Sequence, residues 1–142
     1  MTMPLMSTFR YILVADHRGR WQESLTSSLV ASGVIVRKVS DTLQFASALS
    51  IATPNLVAVI PIPEDDVIEG ERLVETARFY SRGTSLLCLR IGTGELLCSM
   101  HCSFVLDAIA GSSPLVTTGG GTLQKTRIRA ERIGFADSSA VI

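Results

Sequence analysis

Few side chains in this chain have the types and spacing that chemistry requires, and most of them fall where apolar runs end. Asp16-His17 follows the first run, Glu64-Asp65-Asp66 the third, and Arg90 the fourth, with Asp107 further on. Asp16 with Asp65 and Asp66 could supply the several oxygens that a divalent cation prefers. The bland reading, acids at a helix start favoured by its dipole, is the stronger one. Cys98, His101 and Cys102 are soft ligand types, with the two thiols at i and i+4 on one face of an expected helix. A structural zinc site takes four ligands, and the chain has only 2 histidines, the other being His17. Thiols packed as small hydrophobes are the better account, and no metal or other cofactor is expected. Gly92-Thr93-Gly94 reads as the opening of a fourth helix, where free N–H groups can receive an anion. Neither a Walker lysine nor a six-residue dinucleotide fingerprint accompanies it. Lys125, Arg127, Arg129 and Arg132 form a basic patch without neighbouring aromatics, read as a solvated tail, so no nucleic acid partner is expected. There is no Ser-His-Asp set and no pair of carboxylates spaced for acid–base work. No residue is assigned a catalytic role, and the chain does not read as an enzyme.

The totals agree with a regulatory or binding protein. The 142 residues suit one domain with a substantial core. The 13 basic and 13 acidic side chains cancel, so no global field attracts nucleic acid or an anionic membrane. The apolar share of 46% is high, so either the core is deep or some apolar surface is covered by a partner. No apolar run nears the roughly 20 residues that cross a bilayer. Met1 to Thr8 lacks the features of a secretory signal and is expected to fray. The odd count of 3 cysteines favours a reducing, cytoplasmic setting.

Five strands and four helices are needed to position those residues. Phe9–Ala15 and Val34–Val39 read as the first two strands, the Arg37-Lys38 pair marking the second as an edge. Between them Trp21, Leu25 and Leu29 share a helix face that Gly33 closes. Asp41 and Gln44 resemble a capping box for a second helix, with Leu43, Ala46 and Leu49 inward. Pro54 stops it. Asn55–Ile60 is apolar throughout, the mark of a central strand covered on both faces, and Pro61 and Pro63 are expected to end the sheet there. A third helix runs from about Glu69 to Arg82, with Leu73, Ala77 and Tyr80 inward. Ser85–Leu89 is a fourth strand, Glu95–Cys102 a short fourth helix, and Ser103–Leu106 a fifth strand. Thr122–Ile133 reads either as a final helix or as an added edge strand. Residues 9–110 thus form one domain, and 111–142 an irregular C-terminal segment. Alternating strands and helices predict an α/β fold, a flavodoxin-like, doubly wound parallel sheet of order 2-1-3-4-5.

At this point the chain resembles a response-regulator receiver domain over about residues 9–110. Ile12-Leu13-Val14-Ala15-Asp16-His17 is similar to that family's first strand and acidic pair. Pro54-Asn55-Leu56-Val57-Ala58-Val59-Ile60 resembles the strand that ends in the phosphorylated aspartate. Ser85 to Arg90 resembles the strand ending in a switch hydroxyl, and Ser103 to Ala108 the strand ending in lysine and proline. The resemblance places Ile60 at the phosphoacceptor, Arg90 at the switch, Asp107 at the lysine, and only Asp16, beside His17, in the acidic pair. No aspartate or glutamate occurs from Asn55 to Pro63. Phosphotransfer needs a carboxylate nucleophile and a magnesium ion, so the resemblance implies a degenerate, non-phosphorylated pseudo-receiver.

The expected function is a regulatory or scaffolding role through a protein partner or a homodimer. Leu96, Leu97, Met100 and Ile109 are the candidate interface, unless Leu115, Val116, Leu123 and Ile128 fold back over them. Arg90 could pair with Asp16 or Asp107 across the crevice, but three solvated loop charges are the stronger reading. The alternative is a small-ligand or nucleotide sensor in that crevice, with Gly92, Thr93 and Gly94 near the anion.

Overall fold

A computed structural model of the chain describes residues 9–51, 53–81, 83–111 and 127–135. Strand β1 (Tyr11–Ala15) leads through helix α1 (Glu23–Ala31) to β2 (Ile35–Val39), and helix α2 (Thr42–Ser50) leads on to β3 (Leu56–Pro63). Helix α3 (Val67–Tyr80) and β4 (Ser85–Ile91) follow, then a short 3₁₀ turn (Ser99–His101), α4 (Cys102–Ala110) and β5 (Ile128–Ile133). The sheet order is β2-β1-β3-β4-β5. The first four strands are parallel, and β5 runs antiparallel to β4. The α/β class and the 2-1-3-4-5 order therefore stand, with one strand of opposite sense. Among the described residues, no helix is long and apolar enough to cross a membrane.

Side chains alternate across the sheet, so each strand feeds two cores. On one face Val57 and Val59 of β3 and Leu87 and Leu89 of β4 pack with α1 and α4. On the other, Ala58, Ile60 and Ile62 pack with α2 and α3. This double coverage explains the unbroken apolar run of β3. Helix α3 lies so close to β3 that a Cβ on Gly70 would stand 2.6 Å from an Ile62 methyl, so glycine is required there.

Several expectations are corrected. Pro61 and Pro63 do not end β3. The register with β1 stops at Val14 opposite Val59, while that with β4 runs on to Pro63 opposite Ile91. The prolines thus lie where β3 has lost one neighbour, and one flank needs no ladder donors. Ile60 is accordingly mid-strand and fully buried, and the strand end is followed at once by Glu64-Asp65-Asp66. Glu95–Cys102 is not a helix, and Ser103–Leu106 is not a strand but the first half of α4. Val105, Ala108 and Ile109 of α4 are buried at helical spacing. Leu43 and Tyr80 point outward rather than inward, while Ala46 and Leu49 are buried as expected and share the buried face of α2 with Phe45 and Ala48. Asp41 does cap α2 by accepting from Gln44 N–H, but the Gln44 side chain returns to Ser40 N–H rather than to Asp41. The fifth strand comes from the segment after residue 110, which agrees with the strand alternative for residues 128–133. The expectations for Met1–Thr8, and those for Leu115, Val116, Leu123 and Lys125, lie outside the described residues.

Candidate functional site

Three loops converge where β1, β3 and β4 end, and all three are shaped by charge. Asp16 follows β1 and turns the chain. Its Oδ1 accepts from Arg20 N–H at 2.9 Å and its Oδ2 from Trp21 N–H at 3.0 Å. Burial raises the Asp16 pKa above its ordinary value, against the lowering effect of these N–H bonds. Each carboxylate oxygen is already engaged by backbone, so Asp16 organises its own loop rather than facing a ligand. The turn delivers Trp21, fully buried, into a bridge with Leu97 that ties the β1 loop to the segment after β4. Trp21 Nε1–H donates to Thr26 Oγ1.

The β1 loop is basic and the β3 loop acidic, and they pair. Arg18 meets Asp66 at 3.0 Å, with His17 at 3.9 Å from the same carboxylate. Arg20 meets Asp65 at 3.1 Å and also donates to Glu95 O. Asp65 and Asp66 are therefore counter-ions of arginines. Among the described residues, no group of three or more His, Cys, Asp or Glu is placed to hold a metal ion. The cavity remaining beside Asp16, Arg18 and Asp66 measures about 10 Å³, room for about one water molecule.

The glycine turn after β4 does bind a carboxylate, and it belongs to this chain. Glu64 Oε1 accepts from Thr93 N–H and Thr93 Oγ1–H, both at 3.1 Å, and lies 3.5 Å from Arg127 Nη2. The two Thr93 bonds, and then the Arg127 charge, lower the Glu64 pKa. Gly92 N–H donates to Arg127 O at 2.7 Å. A Cβ on Gly92 would stand 2.5 Å from Arg127 Cβ, so glycine permits this approach of the turn to the start of β5. Gly94 adopts a left-handed φ of 86°. The turn does not open a helix as expected. It precedes the 3₁₀ turn at Ser99 and the helix at Cys102.

The remaining candidate residues are dispersed. Arg90 does not reach Asp16 or Asp107. It lies within β4 and meets Glu71 of α3 and Glu131 of β5, each at 3.2 Å. Desolvation opposes its charge, but the bonds to Glu71 and Glu131 outweigh it and raise the Arg90 pKa. The neighbouring Cys88 thiol is pushed up to about 11 by burial and by Glu131. Asp107 sits exposed on α4 instead of at a strand end. Leu97 and Ile109 are core residues, which withdraws them from the expected interface, while Met100 is 71% exposed and Leu96 partly so. Cys98 precedes the 3₁₀ turn and Cys102 starts α4, so they do not share one helix. His101 Nδ1 accepts from Cys98 N–H at 3.0 Å, leaving the proton on a buried Nε2 that has no partner among the described residues. Burial lowers the His101 pKa, Glu95 notwithstanding. Arg127 of the basic patch belongs to the glycine-turn site, and Arg132 lies 4.0 Å over the Phe135 ring.

The sequence missed Glu64 as the partner of Thr93. The loop lengths hide it: Glu64 reads as part of a helix start, although β3 continues to Pro63 and delivers Glu64 at the rim. The larger cavities lie at the opposite end of the sheet, one of about 560 Å³ between the ends of α2 and α3 and one of about 420 Å³ beside Gly33 and Ala110. No protein-family model, no curated protein and no solved structure matches the chain.

Proposed function

We propose that this chain is a non-catalytic regulatory or scaffolding module that acts through protein–protein contact, with a receiver-like sheet used without aspartyl phosphorylation. The observation that carries this reading is the filled strand-end crevice. Its carboxylates are each engaged, Asp16 by backbone N–H groups, Asp65 and Asp66 by arginines, and Glu64 by Thr93. A metal-bound phosphoryl group would need at least one of them free and a nucleophile beside it. Ile60, which the receiver resemblance sets at the acceptor position, is 0% exposed in the second core. The likeness then extends over β1 to β4, because the fifth parallel strand of that family is α4 and an antiparallel β5 here.

Exposed apolar side chains support contact as the mode of action. Leu43 of α2 is 76% exposed, and Ile68 and Phe79 of α3 are 79% and 73% exposed. These two helices pack side by side on one face of the sheet. Large apolar residues so exposed on adjacent helices favour a covering partner. The test is exposure of the full chain to a radiolabelled small phosphodonor with magnesium, followed by light scattering over a wide concentration range. No stable label is expected, together with concentration-dependent growth in mass that Phe79→Ser abolishes. Stoichiometric label would overturn the reading, and a monomer at every concentration would remove the homodimer form of it.

A further inference from the structure

The glycine turn holds more donors than a turn needs for its own fold. Thr93 N–H, Thr93 Oγ1–H and the Arg127 guanidinium converge on one oxygen, Glu64 Oε1. Arg129 adds a favourable charge from β5. The close Gly92–Arg127 backbone contact holds the start of β5 against the turn, so the Thr93 donors and the Arg127 backbone are set in place by the fold, with the Arg127 side chain in reach of them. Glu64 itself stands on the other loop, reaches across and is solvent-exposed. It is the part that can leave. A backbone N–H, a hydroxyl and a guanidinium aimed at a single point are the usual partners of a phosphate oxygen, and arginine meets phosphate in bidentate fashion.

We propose that Thr93, the flanking glycines and Arg127 form a binding site for a phosphate group, either free phosphate or a phosphomonoester, which Glu64 keeps closed by acting as an internal anion. The bound carboxylate carries one negative charge. A phosphomonoester carries about 1.5 to 2 at neutral pH and offers three acceptor oxygens, so it can take all the donors at once. Glu64 is tethered, however, and competes at the high effective concentration of an intramolecular ligand. The closed form therefore raises the apparent dissociation constant in inverse proportion to the fraction of time the site is open. This inference goes beyond the contact reading above and stands without it.

Titration of the full chain with inorganic phosphate at fixed ionic strength, followed at the Thr93 amide by ¹⁵N–¹H correlation spectra, tests the proposal. Glu64→Ala should tighten binding about tenfold by removing the competitor. Adding Arg127→Ala to that variant should weaken it again by at least the same factor. Glu75→Ala, which removes one exposed charge from α3, should leave the wild-type titration unchanged and excludes a mere net-charge effect. Phosphoserine titrated in parallel distinguishes a phosphomonoester from free phosphate by whichever binds more tightly. Failure of both ligands to shift the Thr93 amide in Glu64→Ala overturns the proposal. So does tightening that survives loss of Arg127 or is reproduced by Glu75→Ala.

Discussion

The two ends of the central sheet are closed by different means. Where β1, β3 and β4 end, arginines and carboxylates from separate loops pair across a space of about 10 Å³. Where those strands begin, closure is aromatic: Phe9 and Phe135 meet edge to face at 5.4 Å, and Arg132 covers the Phe135 ring. That second end also leaves cavities of about 560 and 420 Å³, both touching Phe9. Half-solvated ion pairs are worth little because water competes for both charges. The charged end is thus tightly filled yet weakly held, while the apolar layers beneath it carry the stability. A seal of that kind can be exchanged for an external ligand without unfolding the domain.

The largest effect is expected at Trp21, a large buried apolar group that anchors the charged end. It is 2% exposed and joins the β1 loop to Leu97. Trp21→Ala should cost about 3–5 kcal/mol, as deletion of a buried large side chain does, measured by urea unfolding. A loss no larger than that of the exposed ion pairs would mean that charge, not apolar packing, holds this end. The next effect belongs to Asp16. Asp16→Ala leaves Arg20 and Trp21 N–H groups without acceptors in a part-buried turn, which should cost about 1–3 kcal/mol. Because the folded pKa of Asp16 is raised, the folded protein binds that proton more tightly than the unfolded chain. The ionised group therefore costs stability above both pKa values, and the cost fades as pH falls through the raised folded pKa and is gone below the ordinary value.

The four parallel strands were legible in the sequence because each is an apolar run bounded by turn residues, and the order followed from short right-handed crossovers. What followed β4 was not legible. Ser103-Phe104-Val105-Leu106 is equally apolar as strand or helix, and burial of Val105, Ala108 and Ile109 on one side decided for the helix. Two prolines read as a stop for β3, since a sequence does not show that β1 has already ended beside them. The site suffered from the same shift. Moving the end of β3 from Ile60 to Pro63 turns Glu64 from a helix-start acid into the ligand of Thr93. Arg90 likewise reads as a rim residue when β4 ends at Leu89, and its true partners on α3 and β5 are remote in sequence.

His101 gives a smaller, pH-dependent effect that sharpens the contrast between buried and exposed titratable groups. Burial holds its pKa below the ordinary 6.5, and its Nε2 is enclosed. Between the unfolded and folded pKa values the unfolded chain binds more protons. The stability from the neutral ring is complete above about 6.5 and is lost progressively as pH falls below it. His101→Gln should flatten the unfolding free energy over that acid range. An unchanged slope would show that His101 is solvated in the folded protein.

The smallest effects are expected at the ion pairs themselves. Arg18→Ala removes a contact between a half-exposed arginine and the partly exposed Asp66. The cost should be about 0.2–1 kcal/mol, and it should shrink further as salt rises from 0.1 M towards 1 M, where the screening length falls from about 10 to about 3 Å. Arg18 must also be compared with Arg20, whose side chain is more enclosed and reaches Glu95 O as well as Asp65. Arg20→Ala should therefore exceed Arg18→Ala and retain more of its effect in high salt. If instead Arg18→Ala equalled Asp16→Ala and resisted salt, the pairs would be structural clamps. The strand-end loops would then be fixed, and a seal that exchanges with an outside anion would have no room to operate.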